Sequence, residues 1–196
     1  LHEPNQLTIL RFHPELNELG IDGTLDHSAG PVGVICPSPT DKSILLTVAE
    51  ESQTATLWRI PSEVIDRTDE LDYNPDSVER TPEDDTEEYS LEQVSTLVDF
   101  DADSPLVHMV WRDANLDFDG EGVVAGEVVS LDRSGRVTMW DSEAFQPVRT
   151  QTVSLENQMT PPRLAWDPHG AHGTAVTVGS NVKILDWRAG SNTESG

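Results

Sequence analysis

The residues best suited to bind a metal ion lie in one short acidic segment, NLDFDGE at residues 115–121. An EF-hand loop places oxygen ligands at positions 1, 3 and 5, glycine at position 6 and a bidentate glutamate at position 12. Counted from Asn115, position 12 is Gly126, and a strand-like sequence follows where a helix is required. We interpret the segment as a solvated turn and predict no metal site. A calcium-dependent or hydrolytic enzyme that uses residues 113–121 is the alternative.

The histidines and the cysteine could also take part in chemistry. His169 and His172 lie in DPHGAHG, where proline and glycines indicate a turn, and no third ligand has a suitable spacing. His108 lies inside an apolar strand and is interpreted as a core histidine. Cys36 ends a predicted buried strand and is interpreted as a small hydrophobic side chain. Since the chain also lacks a glycine-rich phosphate loop and a nucleophile elbow, we predict no catalytic residue and no cofactor.

The composition narrows the class of partner. The 196 residues include 36 acidic and 12 basic side chains, which gives a formal net charge of −24. Binding to nucleic acid or to anionic lipid requires clustered lysine and arginine, so we predict neither as the main partner. No apolar run approaches the roughly 20 residues that span a membrane. A single cysteine excludes an intrachain disulfide and favours a reducing, cytoplasmic location.

Five tryptophans reveal a repeated order of segments. Trp58, Trp140 and Trp187 lie in the alternating apolar stretches TATLWRIP, RVTMWDSE and VKILDWRA. Trp111 and Trp166 lie in LVHMVWRD and PRLAWDPHG, which end in polar turns. The two contexts alternate along the second half of the chain, as expected of a repeated supersecondary unit.

An insertion hides the period of this repeat. Residues 62–92 hold 13 Asp or Glu and two Arg, and we predict an acidic, disordered or loosely held inter-strand segment. It is interpreted as a solvated connector, with a docking segment for a basic partner as the alternative. Without its 31 residues, the spacing from Trp58 to Trp140 falls from 82 to 51, beside 47 from Trp140 to Trp187. Both values lie near the 40–45-residue blade period of a WD40 propeller.

The sequence therefore predicts an all-β chain, residues 1–196, that forms a partial WD40 β-propeller of about three blades. Closed propellers usually have four to eight blades, so we expect the chain to be a piece of a longer propeller. Roughly 12 antiparallel strands are predicted, at residues 6–12, 31–38, 44–50, 54–60, 94–100, 106–112, 123–132, 136–141, 147–155, 162–167, 174–179 and 182–188.

Within the predicted blades, a few polar residues are candidates for structural roles. Blades of this class commonly join a turn Asp, a Ser or Thr, a strand Trp and a preceding His by hydrogen bonds. Asp132, in LDRSGRV, lies in a tight turn that Gly135 allows, with Ser130 before it and Trp140 after it, but no matching His is present.

The first unit supplies a different subset of these residues. It has His27, Thr47 and Trp58, with Glu51 or Ser52 in the turn. Trp187 is the corresponding tryptophan of the third unit. Each group is incomplete, which is typical of degenerate WD repeats.

The order of motifs resembles that of one family. NQLTILRF, LDHSAGPVGVICPSP, ILLTVAEES and ATLWRIPSEV are followed by VHMVWRD, GEVVSLDRSGRVTMWD, LAWDP and VTVGSNVKILDWRAG. Together they resemble the EARP- and GARP-complex-interacting protein family, from about Asn5 to Ala189. The heavy acidity and the size of the insertion depart from the family pattern.

The resemblance implies a non-catalytic, seven-bladed scaffold, and it implies that this chain corresponds to the N-terminal half of that propeller. Its implied partners are subunits of the EARP and GARP tethering complexes, and its implied place is the cytoplasm, with peripheral association with endosomes and the trans-Golgi network. No partner-binding residue is carried over from the family. A propeller subunit of another assembly, such as a ubiquitin-ligase adaptor or a chromatin factor, is the alternative, because function lies in surface patches and not in the fold.

Overall fold

The computed structural model describes residues 5–14, 17–69, 88–99, 103–112, 127–141, 143–155, 160–167 and 172–188. These residues form fourteen strands and one helix, which confirms the all-β class. The elements are β1 Gln6–His13, β2 Glu18–Asp26, β3 Val32–Pro37, β4 Ile44–Ala49, β5 Thr54–Arg59, α1 Ser62–Asp69, β6 Glu88–Ser90, β7 Glu92–Val98, β8 Leu106–Trp111, β9 Val128–Asp132, β10 Arg136–Trp140, β11 Pro147–Thr152, β12 Leu164–Trp166, β13 Gly173–Val178 and β14 Asn181–Asp186.

The strands form four sheets that follow one another along the chain. Sheet I has the order β1-β2-β6, with an antiparallel hairpin and β6 parallel to β2. Sheet II has the order β3-β4-β5-β7, and sheet III has the order β8-β9-β10-β11. Sheet IV has the order β12-β13-β14. Sheets II, III and IV are antiparallel, and their strands pair in chain order, except that α1 and β6 lie between β5 and its partner β7.

Sheets II and III are buried on both faces, because apolar residues occupy successive positions of their central strands. In β4, Leu45 belongs to the core shared with sheet I, whereas Leu46 and Val48 belong to the core shared with sheet III. In β9, Val128 belongs to the core with sheet II, and Val129 to the core with sheet IV. Successive side chains of a strand point to opposite faces, so each sheet joins its two neighbours.

Three apolar cores result, one between each pair of consecutive sheets. The tryptophan of each of sheets II, III and IV lies in the core shared with the preceding sheet. The buried members are Leu7, Leu25, Leu45, Trp58 and Val64 between sheets I and II; Cys36, Leu46, Val48, Ala55, Leu57, Leu97, Leu106, Met109, Val128 and Trp140 between II and III; and Val129, Leu131, Val137, Met139, Val153, Leu164, Val176, Val178 and Trp187 between III and IV.

The prediction of a disordered or loosely held segment over residues 62–92 is wrong at both ends. Residues 62–69 form α1, and its Val64 is buried in the core between sheets I and II. Residues 88–90 form β6, whose Tyr89 packs against the same core, and β7 begins at residue 92. The middle of the predicted segment, residues 70–87, lies outside the described residues.

The first sheet also differs from the prediction. The strand predicted at 6–12 is β1, but it pairs along its whole length with β2, which was not predicted. Asn17 begins the return with a φ of 53°, a left-handed conformation that Asn tolerates well. The strand predicted at 123–132 is described only from residue 128, since residues 123–126 lie outside the described part. No helix among the described residues is long and apolar enough to cross a membrane.

Candidate functional site

Three tryptophan–hydroxyl pairs occupy one position in successive sheets. Trp58 Nε1 donates to Thr47 Oγ1 at 2.7 Å, and Trp140 Nε1 donates to Ser130 Oγ at 2.8 Å. Trp187 Nε1 donates to the hydroxyl oxygen of Thr174 at 2.6 Å. Thr174 was not singled out in the sequence.

The register of the three pairs is the same. Thr47 lies opposite Thr56, Ser130 opposite Thr138 and Thr174 opposite Leu185. In every sheet the tryptophan follows that opposite residue by two positions, so the two side chains share one face of the sheet. Thr174 can be found from the sequence. The three units are aligned by their tryptophans, and a hydroxyl residue is then sought in the preceding strand.

The first pair is extended by a histidine from the end of sheet I. His27 directly follows β2, and its Nε2 lies 2.8 Å from Thr47 Oγ1. Its Nδ1 lies 3.0 Å from the carbonyl oxygen of Gly30, which can only accept. The proton therefore sits on Nδ1, and the hydroxyl of Thr47 accepts from Trp58 and donates to His27 Nε2. All three predicted residues of this unit are brought together and buried.

Beside the second pair lies the carboxylate of Asp99, which sequence reasoning missed. Asp99 directly follows β7, is buried, and lies 2.9 Å from Arg136 Nη2. It also accepts from Thr138 Oγ1 at 3.3 Å, and Thr138 lies opposite Ser130. His27 follows β2, the strand that comes before sheet II in the chain, and Asp99 follows β7, the strand that comes before sheet III. This position therefore holds a histidine in the first unit and an acidic residue in the second.

The third unit has an apolar residue at this position. Val153 directly follows β11 and belongs to the same buried cluster as Trp187. The residue at this position is therefore His27 in the first unit, Asp99 in the second and Val153 in the third, and only His27 bonds the tryptophan–hydroxyl pair directly. The sequence signal is that each residue directly follows the strand that comes before the next sheet in the chain.

The turn that follows the hydroxyl strand is held by side-chain hydrogen bonds. Asp132 Oδ1 accepts from the backbone N–H groups of Ser134 at 2.8 Å and Arg136 at 2.9 Å. Gly135 has a φ of 92° and supplies the left-handed residue of the turn. In the first unit Ser52 has the corresponding role, since its hydroxyl accepts from the N–H of Thr54 at 3.1 Å.

The cysteine and the core histidine lie at contacts between sheets. Cys36 is buried, and burial raises the pKa of its thiol to about 11, which disfavours the nucleophilic thiolate. Its carbonyl oxygen accepts from Trp111 Nε1 at 2.8 Å and so joins sheet II to sheet III. His108 Nδ1 accepts from the N–H of Leu164 at 3.1 Å and joins sheet III to sheet IV. Burial, and then the nearby charge of Arg163, lower the pKa of His108.

The candidate metal ligands are only partly described. The loop at residues 115–121 and His169 lie outside the described residues, so the prediction for them stays a prediction. His172 is described, and its carbonyl oxygen accepts from the backbone N–H of Trp187 at 2.9 Å. In the described part of the chain, no group of three or more His, Cys, Asp or Glu side chains could hold a metal ion.

One open groove of about 460 Å³ lies beside α1. Its wall includes Arg59 and Glu92, which form an ion pair at 3.4 Å with both side chains more than half exposed. Since none of the residues that line the groove is buried, it offers no enclosed polar group for a small ligand.

Comparison with known proteins supports the fold alone. No family model matches the chain, and no curated protein matches it. Among solved structures, one described as "KlHsv2 with loop 6CD replaced by a Gly-Ser linker" is similar, with a TM-score of 0.52 and 8% sequence identity. The match covers 87% of this chain and 42% of that chain, so this chain spans less than half the length of its structural neighbour.

Proposed function

We propose that the chain is part of a WD40 β-propeller and acts as a non-catalytic scaffold for protein partners. The observation that carries this proposal is the tryptophan–hydroxyl hydrogen bond, repeated at one register in sheets II, III and IV. Each bond lies in the core between consecutive sheets, where it fixes the face that meets the neighbouring sheet. Four consecutive, similarly packed sheets are what a radial array of blades requires.

The chemistry of the described polar residues favours a scaffold over an enzyme. His27, Thr47 and Trp58 bond one another inside a core, and Asp99 is engaged by Arg136 and Thr138. Such groups have no free donor or acceptor aimed at a cleft, which a general base or nucleophile needs. The remaining enzyme hypothesis rests on residues 113–121. Calcium titration by calorimetry tests it, because heat that disappears in Asp117→Ala and Asp119→Ala would show that the loop binds the ion.

The implied partners are subunits of the EARP and GARP tethering complexes. The support is the order of sequence motifs from Asn5 to Ala189, which resembles the family that interacts with these complexes. The excess of acidic side chains fits a protein partner with a basic surface and disfavours a phosphate backbone. On this proposal the protein acts in the cytoplasm at endosomes and the trans-Golgi network, without a cofactor.

The test is affinity purification from the native organism with a tag on the endogenous gene. Recovery of tethering-complex subunits supports the proposal, and recovery of ubiquitin-ligase or chromatin subunits in their place overturns it in favour of the alternative. Trp140→Ala is the control for fold-dependent capture, because it empties the core between sheets II and III. A partner that is captured equally by the intact and the Trp140→Ala protein does not recognise the folded sheets.

A further inference from the structure

The two described ends of the acidic insertion are anchored in sheet II. α1 follows β5 after two residues, Ile60 and Pro61, and β6 precedes β7 by one residue, Leu91. The N–H of Ile60 donates to the carbonyl oxygen of Ser43 at 2.8 Å, and the N–H of Val64 donates to the carbonyl oxygen of Pro61 at 3.2 Å. Because β5 and β7 pair with each other, both ends of the insertion start from the same two strands.

Both ends also contact sheet I. β6 runs parallel to β2, with Tyr89 opposite Leu25, and the pairing extends one residue to either side. α1 contacts β2 as well. The strand β2 is therefore paired on one edge by β1 and, over its last three residues, on the other edge by a strand that belongs to the insertion.

The core between sheets I and II includes side chains from the insertion. Among the described residues it is the smallest of the three cores. Val64 of α1 is one of its buried members and is only 3% exposed. Tyr89 and Leu91 pack against the same core as partly buried side chains. Since hydrophobic stabilisation grows with the apolar area that is buried, a small core depends strongly on each of these side chains.

We propose that α1 and residues 88–91 form a clasp that holds sheet I against sheet II, and that sheet I opens as a unit when the clasp is released. The other contacts between the two sheets are the bond from Thr47 to His27 and the packing of Leu7 and Leu25 on Trp58. Opening uncovers the tryptophan face of sheet II and the edge of β2 that β6 pairs. The insertion therefore controls whether Trp58 is covered.

The contact between sheets II and III does not depend on the clasp. Trp111 Nε1 donates to the carbonyl oxygen of Cys36, and Arg136 pairs with Asp99, which follows the last strand of sheet II. The apolar core between these sheets is also larger than the core that the clasp completes. Parts of a protein with few buried apolar contacts open at a lower free energy than the rest. Release of the clasp is therefore expected to open sheet I and to leave sheet III closed.

The experiment is amide hydrogen exchange of the full chain and three variants, followed by mass spectrometry. Val64→Asp places a charge in the core that the clasp completes, and should raise the exchange rates of β1 and β2 about tenfold or more, with those of β9 and β10 unchanged. Tyr89→Ser removes the aromatic ring and should give the same pattern with a smaller increase. Val148→Asp is the matched control, because Val148 is 56% exposed on β11 and should leave sheet I unchanged.

Two outcomes overturn the proposal. Unchanged exchange in β1 and β2 of both clasp variants would mean that the ends of the insertion do not hold sheet I. An equal increase in sheets I and III would mean that the described sheets open together and that sheet I is not a separate unit. Tyr89→Ser decides between these outcomes if Val64→Asp does not fold, since it introduces no charge, and circular dichroism checks the folding of every variant. The purified chain is sufficient for the test, because the clasp does not involve the tethering partners.

Discussion

The first and second tryptophan sites have the same centre and different surroundings. In both, a fully buried indole donates to a hydroxyl on the adjacent strand at nearly the same distance, 2.7 Å for Trp58 and 2.8 Å for Trp140. The first site continues into His27, whose Nε2 lies beside the Thr47 hydroxyl and whose Nδ1 lies beside the Gly30 carbonyl. The second site lies beside Asp99, a carboxylate that is balanced by an arginine.

This difference shows that the tryptophan–hydroxyl bond is constant among the units, whereas the residue beside it varies. The indole–hydroxyl bond fixes the register of two strands and satisfies a buried N–H, so it is kept in all three units. The residue that follows the preceding strand (His27, Asp99 or Val153) has a weaker requirement. It must either form hydrogen bonds with the polar groups beside the tryptophan–hydroxyl pair or be apolar. This condition is met by histidine in the first unit, by aspartate with arginine in the second and by valine in the third. Three pairs of variants, described below, compare the first site with the second.

Removal of either indole is expected to have the largest effect. Trp58 and Trp140 are both 1% exposed, so Trp58→Ala and Trp140→Ala should each lower the free energy of unfolding by about 3–5 kcal/mol. Urea denaturation of both variants measures the two losses side by side. Unequal losses, well outside experimental error, would mean that the surroundings and not the indole dominate the site. Trp187→Ala extends the comparison to the unit with Val153.

The second largest effect is expected from replacing Gly135, one of two left-handed glycines that are compared by substitution with alanine. Gly135 has a φ of 92°, and an added Cβ would collide with the carbonyl oxygen of Val153 and lie 2.9 Å from Leu155 Cγ. Gly30 has a φ of 96°, but nothing lies within 4 Å of an added Cβ. Gly135→Ala should therefore cost about 2–5 kcal/mol, from strain and overpacking together.

Gly30→Ala is the matched control for this prediction. It carries the left-handed strain without the collision and should cost about 1–2 kcal/mol. Thermal unfolding of the two variants gives the comparison. Equal destabilisation would mean that the turn at Gly135 relaxes away from Val153, and that the second unit is less tightly held than its hydrogen bonds indicate.

Removal of the hydroxyl groups of Thr47 and Ser130 is expected to have a smaller effect, which differs between the two sites. Thr47→Val keeps the shape of the side chain but leaves both Trp58 Nε1 and His27 Nε2 without a partner. Ser130→Ala leaves only Trp140 Nε1 without one. We expect losses of about 2–4 kcal/mol for Thr47→Val and about 1–2 kcal/mol for Ser130→Ala, measured by urea denaturation. The reverse order would show that His27 contributes nothing to the first site.

Much of the fold was predictable from local pattern. The strands of sheets II, III and IV are short β-branched or aromatic runs bounded by turn residues, and their period survives once residues 62–92 are removed. Trp58, Thr47 and His27 were predictable as a group because each occupies a recognisable place in the unit. Asp132 and Gly135 carry a strong local turn signal, and their turn has the predicted backbone bonds.

The missing elements depend on partners that are distant in sequence. β2 contains Gly20, Gly23 and acidic residues, which lower strand propensity, and pairing with β1 overrides that preference. α1 and β6 lie in an acidic segment where only a few apolar residues, such as Val64 and Tyr89, reveal burial. One or two apolar residues of this kind predict burial only when the core into which they pack is already known.

Asp99 was missed for a related reason. An acidic residue after a strand is usually solvated, and nothing adjacent in sequence indicates that Arg136 and Thr138 surround it. Its contacts cross from sheet II to sheet III, so they follow from the stacking of sheets and not from the strand pattern. The general pattern of WD40 blades did not supply it either, because that pattern has a histidine at this place.

The smallest expected effect concerns the half-buried imidazole of His108, which contrasts with His27 in accepting a backbone N–H at Nδ1. Protonation of Nδ1 would place a second donor against Leu164 N–H, and burial together with Arg163 already lowers the pKa of His108 below 6.5. The unfolded chain therefore binds this proton more readily than the folded chain. Its contribution to stability is complete above about pH 6.5 and is lost as the pH falls through the lowered pKa.

His108→Asn tests this dependence, because the asparagine oxygen can accept from Leu164 N–H and does not titrate. The free energy of unfolding should fall more steeply with acidification in the intact chain than in the variant, and the two should run parallel at higher pH. Urea denaturation across the acidic range measures both slopes, and the difference between them cancels the contributions of the many carboxylates. Parallel slopes throughout would mean that His108 is not held as an acceptor. The contact between sheets III and IV would then depend on apolar packing and on the bonds from Gln151 Nε2 to the Asp186 carbonyl and from Arg149 Nη1 to the Trp187 carbonyl.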